Sequence, residues 1–136
     1  MSDQFSKSER SRIMAAVKSK NTTPEILVRK LVHQLGYRFR LHRRDLPGNP
    51  DIVLPRLHKI INVHGCFWHL HSCRHGQIAP HNNAQYWQQK RLRNARRDLA
   101  NLRRLRRAGW RVLILWECQL KKPAQLANRI ARFLSA

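Results

Sequence analysis

Two small groups of side chains in this sequence have the types and spacing that chemistry needs. The first is Cys66, His71 and Cys73 in one short segment, with Cys118 lying 45 positions after Cys73. Three thiolates and one imidazole make a closed tetrahedral zinc site, the kind that holds structure and leaves no coordination position open. Spacing alone leaves the imidazole undecided, since His69 and His75 lie in the same segment as His71. Free buried cysteines are the plain alternative.

The second group is Asp51, Val63, His64 and His69. Asp51 follows Pro50 at the start of an apolar strand, and Val63-His64 closes the strand expected to pair with it. A hairpin of that length brings Asp51, the Val63 carbonyl and His64 together, and a hard divalent cation takes carboxylate and carbonyl oxygens in one shell. Of His64 and His69, one could move a proton near neutral pH while the other contacts a phosphate.

Aromatic and basic residues flank both groups. Phe67 and Trp68 sit between the expected zinc ligands, and Trp87 opens a long helix. Rigid exposed rings on a basic protein stack on bases or wedge between them. Met14 is a further apolar candidate wedge or core residue. The helix carries Lys90, Arg91, Arg93, Arg96, Arg97, Arg103, Arg104, Arg106 and Arg107, with Arg111 beyond it, against Asp98 alone. A solvated helix would interleave acids for i,i+4 pairs, so this face is expected to track a phosphate backbone. Neutralising about six to ten phosphates would cost about 10³ to 10⁵-fold in affinity between 50 and 200 mM salt. Asn94 and Asp98 are one turn apart and could meet the same phosphate.

The elements that must position these residues read as ααβββαβα. Ser6 to Lys20 is a first helix, opened by the Ser6/Glu9 capping box. A second follows Thr22, with Pro24 and Glu25 in its first turn and Gly36 as its stop. Tyr37 to Leu41 alternates as a half-buried strand. Pro47 to Pro50 is a turn, and Asp51–Leu54 and Lys59–Val63 form a hairpin. A His- and Cys-rich loop leads to the helix from Asn83 to Ala108, with Trp87, Leu92, Ala95, Leu99, Leu102 and Leu105 expected inward. Trp110 to Trp116 reads as a central strand buried on both faces, and Pro123 opens the last helix. The fold class is α/β: one domain over 1–136 around a small mixed sheet, with 1–20 as a helical arm.

Composition fits this. The 136 residues carry 28 Lys+Arg against 7 Asp+Glu, a formal charge of +21, with 42% hydrophobic residues. That is enough apolar mass for a core and too much charge for anything but a polyanion partner, nucleic acid first and an anionic membrane surface second. No apolar run is long enough to span a bilayer, no secretory signal is expected, and an odd number of cysteines fits a cytoplasmic chain.

Pro50-Asp51, Val63-His64-Gly65-Cys66-Phe67-Trp68-His69 and His71-x-Cys73 resemble the very-short-patch repair (Vsr) DNA mismatch endonuclease family. So do Ser11-Arg12-x-x-Met14, Thr22-x-Pro24-Glu25, Asn94-x-x-x-Asp98 and Gly109-Trp110-Arg111-Val112 through Trp116-Glu117-Cys118. The resemblance implies a fold like the type II restriction endonuclease core. It implies a monomeric, Mg²⁺-dependent enzyme that nicks one strand of double-stranded DNA at a T/G mismatch left by 5-methylcytosine deamination. Such an enzyme works in the bacterial cytoplasm on the nucleoid, with mismatch-repair proteins as candidate partners. Carried over, Asp51 and the Val63 carbonyl hold magnesium. His69 supported by Glu25 handles protons, and His64 and Asp98 position water and phosphate. Phe67, Trp68, Trp87 and Met14 wedge the duplex, with the arm contacting DNA beside Lys90, Arg91 and Asn94. Cys66, His71, Cys73 and Cys118 hold structural zinc. Val63 stands where some members have threonine, a change to which a carbonyl ligand is indifferent. A non-catalytic zinc module that binds nucleic acid is the rival reading.

Overall fold

The computed structural model describes residues 22–66, 69, 71–73 and 84–136. The expected first helix and arm, Met14, Phe67, Trp68 and His75 lie outside these residues.

Thr22 caps the first described helix, α1 (Thr23–Gln34), its hydroxyl accepting the Glu25 N–H at 3.4 Å. Val28 and Val32 bury its inner stripe, and Gly36 leaves the helix at φ +92°, a conformation that costs a residue without Cβ little. Four strands follow the order β1-β2-β3-β4: β1 (Arg40–Leu41), β2 (Ile52–Leu54), β3 (Lys59–His64) and β4 (Arg111–Trp116). The first two pairings are antiparallel and β3 runs parallel to β4, so the sheet is mixed as expected. The long helix α2 (Ala84–Arg107) makes the crossover to β4, and α3 (Pro123–Ser135) closes the chain.

The main core joins Val28 and Val32 of α1 to Ile52, Leu54, Ile61 and Leu115 of the sheet and Leu126, Ile130 and Leu134 of α3. On the opposite face Val53 and Ile60 pack on Leu105 of α2. Lys59 is buried at the start of β3, where its ammonium donates to the carbonyls of Phe133, Leu134 and Ala136 and so satisfies the end of α3. The 47–50 turn passes close under α2: a Cβ on Gly48 would stand 2.9 Å from Asn101 Nδ2.

Three expectations need correction. The strand expected from Tyr37 pairs only at Arg40–Leu41; Tyr37 and Phe39 pack on the core without joining the ladder. β4 is an edge strand among the described residues, not a central one; it reads as apolar because helices cover it. In α2, Leu92 and Leu99 are exposed while Arg91 is buried. Trp87 and Leu105 are buried as expected and Ala95 and Leu102 half-buried, but Arg91 and Asp98 share that inward face in place of Leu92 and Leu99. The hydrophobic count misled because half of the inner face serves a polar site.

Candidate functional site

The antiparallel β2–β3 pair brings Asp51 to Val63. One Asp51 carboxylate oxygen accepts the Val63 N–H at 2.8 Å, and the Asp51 N–H donates to Asn62 Oδ1 at 3.1 Å. The carboxylate is thus held by Val63 and the Asp51 backbone by Asn62, both near the end of the neighbouring strand. Burial raises the Asp51 carboxyl to about 7; the Val63 hydrogen bond opposes this, the Glu25 charge adds to it, and His69 and Arg29 oppose it. A carboxylate held in so dry a place is one that a divalent cation would relieve.

Its ionised form therefore weighs against the fold. The folded value lies above the ordinary 3.8, so that cost is small at pH 4, grows as pH rises toward 7 and is constant above it. Without added Mg²⁺, Asp51→Asn is expected to be more stable than the natural protein at pH 8, on the order of one to a few kcal/mol, and equal to it near pH 4. Urea unfolding at the two pH values measures this, and a variant no more stable at pH 8 would contradict it. His64 tilts both proteins the other way, losing stability as pH falls from 6.5 toward about 4.

The β3 strand ends at His64, whose ring stacks on His69 with centroids 4.0 Å apart and planes 9° from parallel. Burial lowers the His64 imidazole to about 4, helped by the His69 charge and opposed by Asp98. His69 Nδ1 pairs with Asp98 Oδ2 on the inward face of α2. That contact orients the ring and leaves Nε2 to exchange a proton. Asp98 is thus the partner at His69 Nδ1, where the resemblance named Glu25 as the support. Glu25, buried in the first turn of α1, accepts from Arg29 at 3.0 Å and faces His42 Nε2 at 3.4 Å.

Three residues of this neighbourhood were missed in the sequence. His42, at φ +48°, donates its N–H to the Asp51 carbonyl, takes a contact from Arg29 at 2.9 Å on Nε2, and points Nδ1 toward Asp51 Oδ1 at 4.0 Å. Nε2 thus meets both the Arg29 guanidinium and the Glu25 carboxylate, while Nδ1 lies on the Asp51 side. Arg29, four residues after Glu25 on α1, meets both Glu25 and His42 Nε2. Trp116 ends β4, edge-on to His64 at 5.2 Å and stacked on His71 at 4.1 Å. It had been absorbed into an apolar run.

The Cys/His cluster lies on the other side of Trp116. Cys66, His71, Cys73 and Cys118 each offer a ligand atom, all within 4.8 Å of one another. The parallel register His64↔Trp116 explains why the distant cysteine arrives: Cys66 and Cys118 each stand two residues past the paired ends. Cys118 donates its N–H to Cys66 Sγ at 3.4 Å. The structure groups His71 with the thiols, and His69 with Asp98 and His64. Trp87 and Arg91 are buried and Lys90 and Asn94 half-buried on α2; Asn94 accepts from Arg97 at 2.6 Å. The burial of Arg91 sets it apart from the exposed arginines.

The family model for DNA mismatch endonuclease Vsr matches residues 2–75. The chain belongs to this family. It is a DNA endonuclease, and its family places it among enzymes of mismatch repair. The "Type II nicking enzyme V.XorIIP" of Xanthomonas oryzae pv. oryzae is 47% identical over 134 residues, covering 98% of each chain. The "Type II nicking enzyme V.NmeAIP" of Neisseria meningitidis is 40% identical over 98% of this chain and 95% of its own. The "DNA mismatch endonuclease Vsr" of Escherichia coli is 37% identical over 94% of this chain and 81% of its own. Among the described residues no helix is long and apolar enough to cross a membrane.

Proposed function

We propose that this chain nicks one strand of double-stranded DNA at a T/G mismatch, with Mg²⁺ at Asp51 and zinc in the Cys/His cluster. The observation that carries this is the convergence of Asp51, His64, His69, Asp98 and Glu25 at one end of the sheet. The donor chemistry fits both metals: carboxylate and peptide oxygens around Asp51, thiolates and imidazole around Cys66. N–H and C=O of a strand residue point the same way, so Val63, whose N–H donates to Asp51, also turns its own carbonyl to that side. A magnesium ion held there would neutralise charge on the phosphate and make a bound water more acidic.

The chain's own residues do the rest. His69, oriented by Asp98, takes or gives the proton through Nε2. His64, kept neutral by burial, accepts a hydrogen bond from water or packs against the phosphate without adding charge. Glu25 and His42 hold the far side of Asp51. Phe67, Trp68 and Trp87, with Met14 from the arm, would wedge the duplex. A mismatched step unstacks at less cost than a paired one, so wedging selects the lesion. Lys90 and Asn94 contact the backbone nearby. The fold is of the type II restriction endonuclease core class, one domain acting as a monomer in the bacterial cytoplasm. A T/G duplex labelled on both strands tests this: the break is expected in one strand only. Breaks in both strands would overturn the nicking assignment.

A further inference from the structure

The arginines of α2 do not face the site they were expected to serve. At about 100° per residue, Arg93 and Arg103 stand about 140° from Asp98, Arg96 about 160° and Arg107 about 180°. Burial agrees: Asp98 pairs inward with His69, beside buried Trp87, Arg91 and Leu105, while Arg93, Arg96, Arg103 and Arg107 are exposed. The four form one stripe about 80° wide on the far side of the helix, about 21 Å long at 1.5 Å per residue.

This stripe is not an ordinary solvated face. No acid lies on it, and no ion pair or hydrogen bond within the described residues involves these four guanidinium groups. Arg103 and Arg107 are a like-charge i,i+4 pair, as are Arg93 and Arg97, and such pairs destabilise a helix unless an anion lies across them. A duplex that reaches Asp98 enters at the end of the sheet, on the near side of a helix about 10–12 Å thick. DNA, with a persistence length of about 50 nm, does not bend round so thin an element to reach the other side.

We propose that Arg93, Arg96, Arg103 and Arg107 form a second DNA-backbone surface, which holds a duplex segment other than the one being cut. This rests on the endonuclease reading for what fills the near side. The stripe reads no sequence; its guanidinium groups meet phosphates, and it would let the enzyme keep hold of a neighbouring segment while it tests or leaves a mismatch. An acidic protein face is the other conceivable occupant.

The test uses the full chain and two short duplexes, one with a T/G mismatch carrying a donor dye and one fully paired carrying an acceptor. At low salt the natural protein is expected to bring them together and give energy transfer. Changing all four arginines to glutamine is expected to weaken that transfer at least tenfold and to lower the salt slope of paired-duplex binding by about three to four. Nicking of a short mismatch duplex at saturating enzyme should stay within about twofold. The glutamine variant should melt no lower than the natural protein, because like charges have been removed; Arg103→Gln/Arg107→Gln provides a milder second variant with half the effect. A natural protein that nicks but gives no transfer overturns the proposal, and so does a variant that loses nicking and transfer together. A protein that joins two duplexes yet nicks neither leaves the stripe standing and overturns the endonuclease reading instead.

Discussion

Asp51→Asn is expected to reduce nicking by at least about 10³-fold while mismatch-duplex affinity changes no more than a few-fold. The asymmetry follows from what Asp51 touches. Its carboxylate is bonded to the Val63 N–H and lies among Glu25, His42 and His69; none of these belongs to the exposed basic surface. An amide oxygen still accepts the Val63 N–H, so the β2–β3 pairing should survive. What is lost is the negative charge that would hold a divalent cation against phosphate, and removing a metal site of this kind removes several kcal/mol of transition-state stabilisation. Single-turnover nicking and a binding titration on the same duplex separate the two effects. A variant that cuts at a tenth of the natural rate would refute a metal role for Asp51.

The second large effect concerns the Cys/His cluster. Cys66 is buried, and burial pushes its thiol up to about 12, opposed by the Cys118 N–H and helped by Cys73 and Cys118. Four ligand atoms within 4.8 Å of one another are an expensive arrangement for thiols alone and a natural one around a divalent ion. Structural zinc sites contribute on the order of 10 kcal/mol in small peptides, comparable to the whole stability of an ordinary domain. The cluster also ties the end of β3 to the end of β4 and packs His71 on Trp116, which in turn abuts His64. One zinc per chain is therefore expected. Its removal, or Cys118→Ser, should lower the melting point by more than about 10 °C and abolish nicking. Elemental analysis and a thermal melt measure both; a folded chain without zinc and with an unchanged melt would contradict the structural role.

How far these sites could be read in the sequence depended on what each residue's position needed. Asp51, His64 and the cysteines were legible because a hairpin with few residues between its strands leaves little freedom in where its ends meet. The choice of His71 over His69 was not, since both fall in one segment and only the position of Asp98 on α2 decides between them. His42 was hidden for a different reason. It looked like one more polar position in an alternating strand, whereas the strand stops at Leu41 and the left-handed turn at His42 swings its ring toward Asp51. Arg91 and Leu92 show the limit of periodicity: it reports that α2 is amphipathic, but the face that turns inward was set by the partners of Asp98 and Trp87, not by apolar count. The order of strands in the sheet also lay beyond reach, because a covered edge strand is as apolar as a central one.

The central claim is that the site at the β2–β3 ends cuts mismatched DNA with a divalent metal. The most direct measurement is the initial nicking rate on two duplexes that differ only in one base, T/G against T/A, with and without Mg²⁺. A rapid single-strand break is expected only on the T/G duplex and only with Mg²⁺, at least about 100-fold above the other three conditions. Equal cutting of the paired duplex, or no metal-dependent break on T/G across several flanking sequences, would contradict it.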